Sequence, residues 1–119
     1  MAPGEAITIA NQLAQAGDFR TAAQIYDRLW RDDPGDAELA YRLAICEHKL
    51  GLYDQASAHF QIAIDREPAQ PRYHLALGRN YKQQERYPEA IASYRKALDL
   101  VPRSVDTLVS LGVALWRDD

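Results

Sequence analysis

Apolar residues recur along this chain with the period of helices, not of strands. Ala40, Leu43 and Ala44 share one face, and Glu47 takes the next place on it, completing an i, i+3, i+4, i+7 pattern. Gly51 interrupts that face, as expected of a helix stop that needs a left-handed backbone. A second apolar face follows through Tyr53, Ala56, Phe60, Ala63 and Ile64, and Pro68 closes it because proline cannot continue a helix interior. Pro71 suits the first turn of the next helix, where the missing N–H has no partner to lose. Asp36 and Ser104 stand where N-caps are needed. The pattern predicts pairs of helices joined by tight turns.

The pairs repeat at a step of 34 residues. Pro34, Pro68 and Pro102 keep that step, as do Ala22, Ala56 and Ala90. Phe19, Tyr53 and Tyr87 form one aromatic series, and Tyr26, Phe60 and Tyr94 another. Ile9, Leu43, Leu77 and Leu111 form an aliphatic series, followed directly by Ala10, Ala44, Gly78 and Gly112. These series define repeats 3–36, 37–70 and 71–104 and a half repeat 105–119. The small residues let the two helices of a pair approach closely, and the aromatics fill the volume around them. Stacking buries what one pair would leave wet, and each large side chain buried contributes on the order of 1.5–3 kcal/mol.

The pattern resembles the tetratricopeptide repeat family over essentially the whole chain. The third repeat carries Leu77-Gly78, Tyr81, Tyr87, Ala90, Tyr94, Ala97 and Pro102 at the family's places. The second carries Leu43-Ala44, Gly51, Tyr53, Ala56, Phe60, Ala63 and Pro68. The resemblance implies an all-α, right-handed superhelical solenoid of antiparallel helix pairs, about seven helices in one domain. Some departures carry expectations. Glu85 stands where Gly17 and Gly51 stand, which puts a side chain on a left-handed turn. Leu29 replaces the small residue seen as Ala63 and Ala97, so the first seam between repeats should be more open. Glu47 occupies a position held by Leu13, Tyr81 and Leu115, and is expected to snorkel its head to water, the alternative being a pairing with a base.

Composition narrows the functional classes. A chain of 119 residues with 47% hydrophobic and 26% charged residues is neither collagen nor low-complexity disorder. Its net charge of −3 provides no global field for nucleic acid or anionic membrane, so neither is expected as a partner. The single Cys46 makes no internal disulfide and no metal site, which fits a cytoplasmic setting. No apolar run reaches the length of a membrane span.

Catalytic chemistry has no visible seat. The serines lack a glycine elbow and the histidines lie on different faces, so no catalytic residues, metal or cofactor are expected. His74 takes a core position held by Ala6, Ala40 and Leu108 and reads as a structural histidine. His59 falls on the outer helix and is expected to be solvated, whereas His48 falls on the inner helix within reach of a ligand. The acidic run Asp32-Asp33-Pro34-Gly35-Asp36, with Glu38 after it, lacks the ordered ligands of a calcium loop and reads as a solvated turn.

In the resembled family the first helix of each repeat lines a concave groove that accepts an extended peptide or a partner helix. The register places Ile7, Tyr41, Leu75 and Val109 on one ladder of that groove, and Asn11, Ile45, Arg79 and Val113 on the next. Arg42, His48, Lys49, Arg72 and Lys82 fall on or beside it. The resemblance thus implies an interaction scaffold whose groove suits a partner with acidic and apolar side chains. Some members grip chaperone tails with a two-carboxylate clamp of Lys, Asn, Asn, Lys and Arg. At those places this chain has Ile7, Asn11, Arg42, Arg72 and Ala76, which does not reproduce the clamp. Two other functions remain open: the substrate-selecting repeats of a larger enzyme such as a glycosyltransferase, or an array that self-associates. The segment from Val105 to Trp116 is apolar nearly all round, which suggests either a helix buried in a longer protein or one that mediates a homo-oligomer.

Overall fold

The computed structural model describes residues 2–119. It places helices at α1 (Pro3–Gln15), α2 (Phe19–Asp32), α3 (Ala37–Lys49), α4 (Tyr53–Arg66), α5 (Pro71–Gln83), α6 (Tyr87–Leu100) and α7 (Val105–Asp118). Each helix packs on the next, and α3, α5 and α7 also touch one another in sequence. The result is a stack of helix pairs, elongated to 49 × 25 × 22 Å, with the odd-numbered helices lining one side. No helix is long and apolar enough to cross a membrane, among the described residues.

The helix starts follow the sequence. Asp36 Oδ1 accepts from the backbone N–H of Leu39 at 3.2 Å, and Ser104 Oγ accepts from that of Thr107 at 3.4 Å. Asp18 caps α2 in the same way, from Thr21 at 3.1 Å. Proline opens α1 and α5.

Within each pair one turn recurs. The N–H after the turn residue bonds back five positions: Asp18 to Leu13 O at 2.9 Å, Leu52 to Glu47 O at 2.8 Å, and Arg86 to Tyr81 O at 3.0 Å. The turn residues are Gly17 (φ 89°), Gly51 (φ 78°) and Glu85 (φ 57°), so Glu85 adopts the left-handed backbone predicted for it.

The core is built from the repeated small and aromatic positions. Ala10, Ala22, Ala44, Ala56, Phe60, Ala90 and Tyr94 are completely buried. His74 is also buried, with Nε2 donating to the Pro68 carbonyl at 2.9 Å, the structural role read from the sequence.

An opening lies at the first seam between repeats, but Leu29 does not line it. A groove of about 570 Å³ lies between α2 and α4, lined also by Leu43 and Glu47 of α3 and by Leu50 just after it. Leu29 instead lines a separate cavity of about 490 Å³ with Pro3, Ile9 and Ile25, on the first repeat.

Glu47 does not snorkel and His59 is not solvated. Glu47 is buried, and its Oε1 meets His59 Nδ1 at 2.6 Å. The His59 ring stands edge-on to Trp30 at 5.1 Å between centroids. The hydrogen bond to Glu47 raises the His59 pKa, burial opposes it, and the Glu47 charge adds to the rise. A buried carboxylate needs a partner more than it needs water, and α4 supplies one across the pair.

Candidate functional site

The inner helices α3 and α5 run side by side and enclose a cavity of about 230 Å³ on the concave side. Tyr41, Ile45, Leu75, Ala76 and Phe60 give it apolar walls. His48, Lys49, Arg72 and Arg79 add its basic groups. A second cavity of about 160 Å³ continues from His48 and Arg79 to Lys82, Gln83 and Ser110, reaching α7. No carboxylate lines either cavity among the described residues.

Most of the predicted groove residues therefore converge. Tyr41, Ile45, His48, Lys49, Arg72, Leu75 and Arg79 share the first cavity, and Lys82 joins His48 and Arg79 in the second. Ile7, Asn11, Arg42 and Val109 line neither. Ile7 packs against the core of the first repeat. Asn11 Oδ1 accepts from the Tyr26 hydroxyl and, at 3.1 Å, from Arg42 Nη1. Val109 is exposed on α7. Of the walls contributed by Phe60 and Ala76, Phe60 read as a core position, and Ala76 stood at a clamp place whose residue type did not match.

The basic residues fall into two sets. Arg42 and Arg72 both bond Glu38, Arg42 Nε at 3.2 Å from Oε1 and Arg72 Nη1 at 3.1 Å from the same oxygen. Arg79, Lys49 and Lys82 have no carboxylate within ion-pair distance among the described residues. The open positive charge thus lies toward the C-terminal ends of α3 and α5.

Two aromatic contacts order the other end. The Arg72 guanidinium lies 5.1 Å from the Tyr41 ring centroid and 5.3 Å from that of Tyr73. Tyr41 and Tyr73 themselves stack at 4.8 Å. Burial raises the Tyr41 pKa, so its hydroxyl stays protonated.

His48 is held by a buried amide. Asn80 is completely buried; its Nδ2 donates to the Tyr53 carbonyl at 2.9 Å and to Ser57 Oγ at 2.7 Å. A carbonyl can only accept, which fixes the orientation of the amide. Asn80 Oδ1 therefore faces His48 Nδ1 at 2.8 Å, and that nitrogen carries the proton it donates. Nε2 is the ring nitrogen left without a partner among the described residues.

Cys46 is buried, and burial pushes its thiol up to about 11, with the Glu47 charge adding to the rise. It is a packing residue and not a nucleophile at neutral pH.

Comparison with known proteins places the chain. The family description "Tetratricopeptide repeat" matches residues 13–79, and "TPR repeat" matches residues 78–119. The chain belongs to the tetratricopeptide repeat family.

Among curated relatives, a probable UDP-N-acetylglucosamine–peptide N-acetylglucosaminyltransferase, SPINDLY of Petunia hybrida, is 31% identical over 111 residues, 93% of this chain and 12% of that protein. The BBSome complex member BBS4 of Mus musculus is 26% identical over 88% of this chain and 20% of its own length. The chain spans a fifth or less of the length of these relatives.

Among solved structures, MamA from Desulfovibrio magneticus superposes with a TM-score of 0.92 at 25% identity, covering 99% of this chain and 67% of that one. The Yersinia enterocolitica chaperone SycD, solved with a peptide of the translocator YopD, gives 0.89 at 17% identity, covering 98% and 94%. The first repeat domain of Spaghetti (RPAP3), solved with the HSP90 peptide SRMEEVD, gives 0.90 at 17% identity, covering 96% and 90%. These likenesses match the helix-pair solenoid predicted from the sequence.

Proposed function

We propose that this chain is a protein-interaction module whose concave groove binds a peptide or partner helix carrying apolar and acidic side chains. The observation that carries this reading is the cavity between α3 and α5. Its walls are apolar, its cationic groups Arg79 and Lys49 and the neighbouring Lys82 have no carboxylate partner among the described residues, and no acid among those residues lines it. An apolar side chain of the partner fills the cavity, and its carboxylates meet the unpaired bases. The solved complexes of SycD and RPAP3 with peptides support a fold of this kind as a peptide holder.

The test is fluorescence polarisation with labelled apolar–acidic peptides, SRMEEVD among them. Reversing Arg79 and Lys82 to Glu should weaken binding at least tenfold, with helicity unchanged by circular dichroism. Undiminished binding by that variant would sink the reading.

A second reading concerns α7. Val105 is 70% exposed and Trp116 79%, with Leu108, Val109 and Leu115 also open. Such a patch favours a second copy of the chain as its cover. Solution mass that stays monomeric across a hundredfold concentration range would exclude it. The likeness to SPINDLY supports a third reading, in which the same groove selects protein substrates for a catalytic domain elsewhere in a longer protein. Sequence flanking this segment in its gene decides between a catalytic neighbour and further repeats.

A further inference from the structure

One carboxylate on the concave side is saturated from within the chain. Glu38 Oε1 accepts from Arg42 Nε at 3.2 Å and from Arg72 Nη1 at 3.1 Å. Its Oε2 accepts from Arg72 Nη2, and the Tyr73 hydroxyl lies 3.1 Å away. Glu38 and Arg72 are 34 residues apart, the same place in consecutive repeats, so the pair spans the groove from α3 to α5. The Arg72 guanidinium is also held against the Tyr41 and Tyr73 rings. Its position therefore has support that does not depend on Glu38.

An incoming carboxylate at this end meets a negative charge and two guanidiniums already engaged. Toward the other end it meets Arg79, Lys49 and Lys82, which have no carboxylate partner among the described residues. We infer that Glu38 is a specificity-determining residue: it stands in for a ligand carboxylate at Arg42 and Arg72. It thereby closes the N-terminal end of the groove to acids and directs the acidic residues of a partner to the Arg79–Lys82 end. This rests on the groove reading proposed above. Removing Glu38 opens a second anion site, built by Arg42 and Arg72 and preorganised by the two tyrosine rings.

A purely structural tether would behave differently. Its loss would lower stability and leave affinity unchanged or weaker. A selectivity role predicts a gain of binding, which a damaged fold does not produce.

The probe is the peptide SRMEEVD with a free C-terminal carboxylate, read by fluorescence polarisation at low salt. Glu38→Ala should bind it about tenfold more tightly than the wild type, the size of one charge–charge interaction near a protein surface. Glu38→Gln, which keeps the side-chain length, should show a gain in the same direction. The gain should vanish in the double variant Glu38→Ala with Arg72→Ala, and should shrink with added salt. Wild-type binding that is lost on reversing Arg79 and Lys82, but is not strengthened in Glu38→Ala or Glu38→Gln, overturns this inference and leaves the groove reading standing. Absence of binding by the wild type and by every variant overturns both.

Discussion

Gly78 of α5 lies so close to the Tyr94 ring of α6 that a methyl group has no room between them. A Cβ built on Gly78 would overlap Cε1 of the ring and stand 2.6 Å from Cδ1. Tyr94 is completely buried and cannot swing away. Gly112 occupies the same place one repeat later, and a Cβ there meets nothing within 4 Å. One substitution should therefore have opposite effects at equivalent positions. Gly78→Ala should destabilise by about 1–3 kcal/mol through overpacking. Gly112→Ala should stabilise by about 0.5–1 kcal/mol through helix propensity alone. Urea unfolding of both variants checks this, and equal shifts would contradict the packing account.

The buried pair Glu47–His59 should make stability depend on pH. Its bond holds the His59 pKa above the ordinary value. The stability it adds is then present in full below about pH 6.5, the unfolded histidine value, and is lost as pH rises through the elevated folded value. The first repeat has Leu13 and Ile25 at these two places. Glu47→Leu with His59→Ile should therefore be neutral or stabilising by about 1–3 kcal/mol and should erase the pH dependence. His59→Ile alone leaves a buried carboxylate unpaired and should cost about 3 kcal/mol or more. Denaturant midpoints at pH 6 and pH 8.5 for the three proteins give the comparison.

Asn80 ties three helices through one amide. It reaches His48 on α3 and both Tyr53 and Ser57 on α4, from its own place on α5. Asn80→Ala removes the amide and leaves its half-buried partners unpaired, a loss of about 1–3 kcal/mol. It also frees the His48 ring in the groove. Thermal unfolding should show the first effect, and faster exchange of the His48 ring proton in NMR the second.

The repeat carried most of the fold into plain view. A step of 34 residues aligns Ala22, Ala56 and Ala90 so closely that the helix pairs follow almost without further reasoning. Part of the cavity lining was legible for the same reason, since Tyr41 and Leu75 stand at one register position on α3 and α5. What register could not show is how charges pair across repeats. Glu38 meets Arg72 because α3 and α5 lie side by side, and nothing in the spacing distinguishes that carboxylate from a solvated one. The same blindness hid Glu47 and His59. Each breaks the pattern of its own helix, and only the packing of α3 on α4 shows that the two departures compensate.

Glu85 offers the clearest case of a residue kept against its local cost. Its φ of 57° lies in the left-handed region, where Gly17 and Gly51 sit in the other two turns at no steric penalty. The turn itself is complete, with the Arg86 N–H bonded to Tyr81 O at 3.0 Å, so the strain is confined to one side chain. A non-glycine residue there costs about 1–2 kcal/mol, from which the greater freedom of glycine in the unfolded chain subtracts part. Glu85→Gly should therefore stabilise by about 0.5–1 kcal/mol. Gly51→Ala should run the other way by about 1 kcal/mol, because it adds the side chain that the turn disfavours. The Glu85 side chain is exposed and has neither a hydrogen bond nor an ion pair among the described residues, so its removal takes no such contact with it. Chemical denaturation of the two variants is the measurement. A loss of stability in Glu85→Gly would mean that the side chain contributes more than its backbone strain costs.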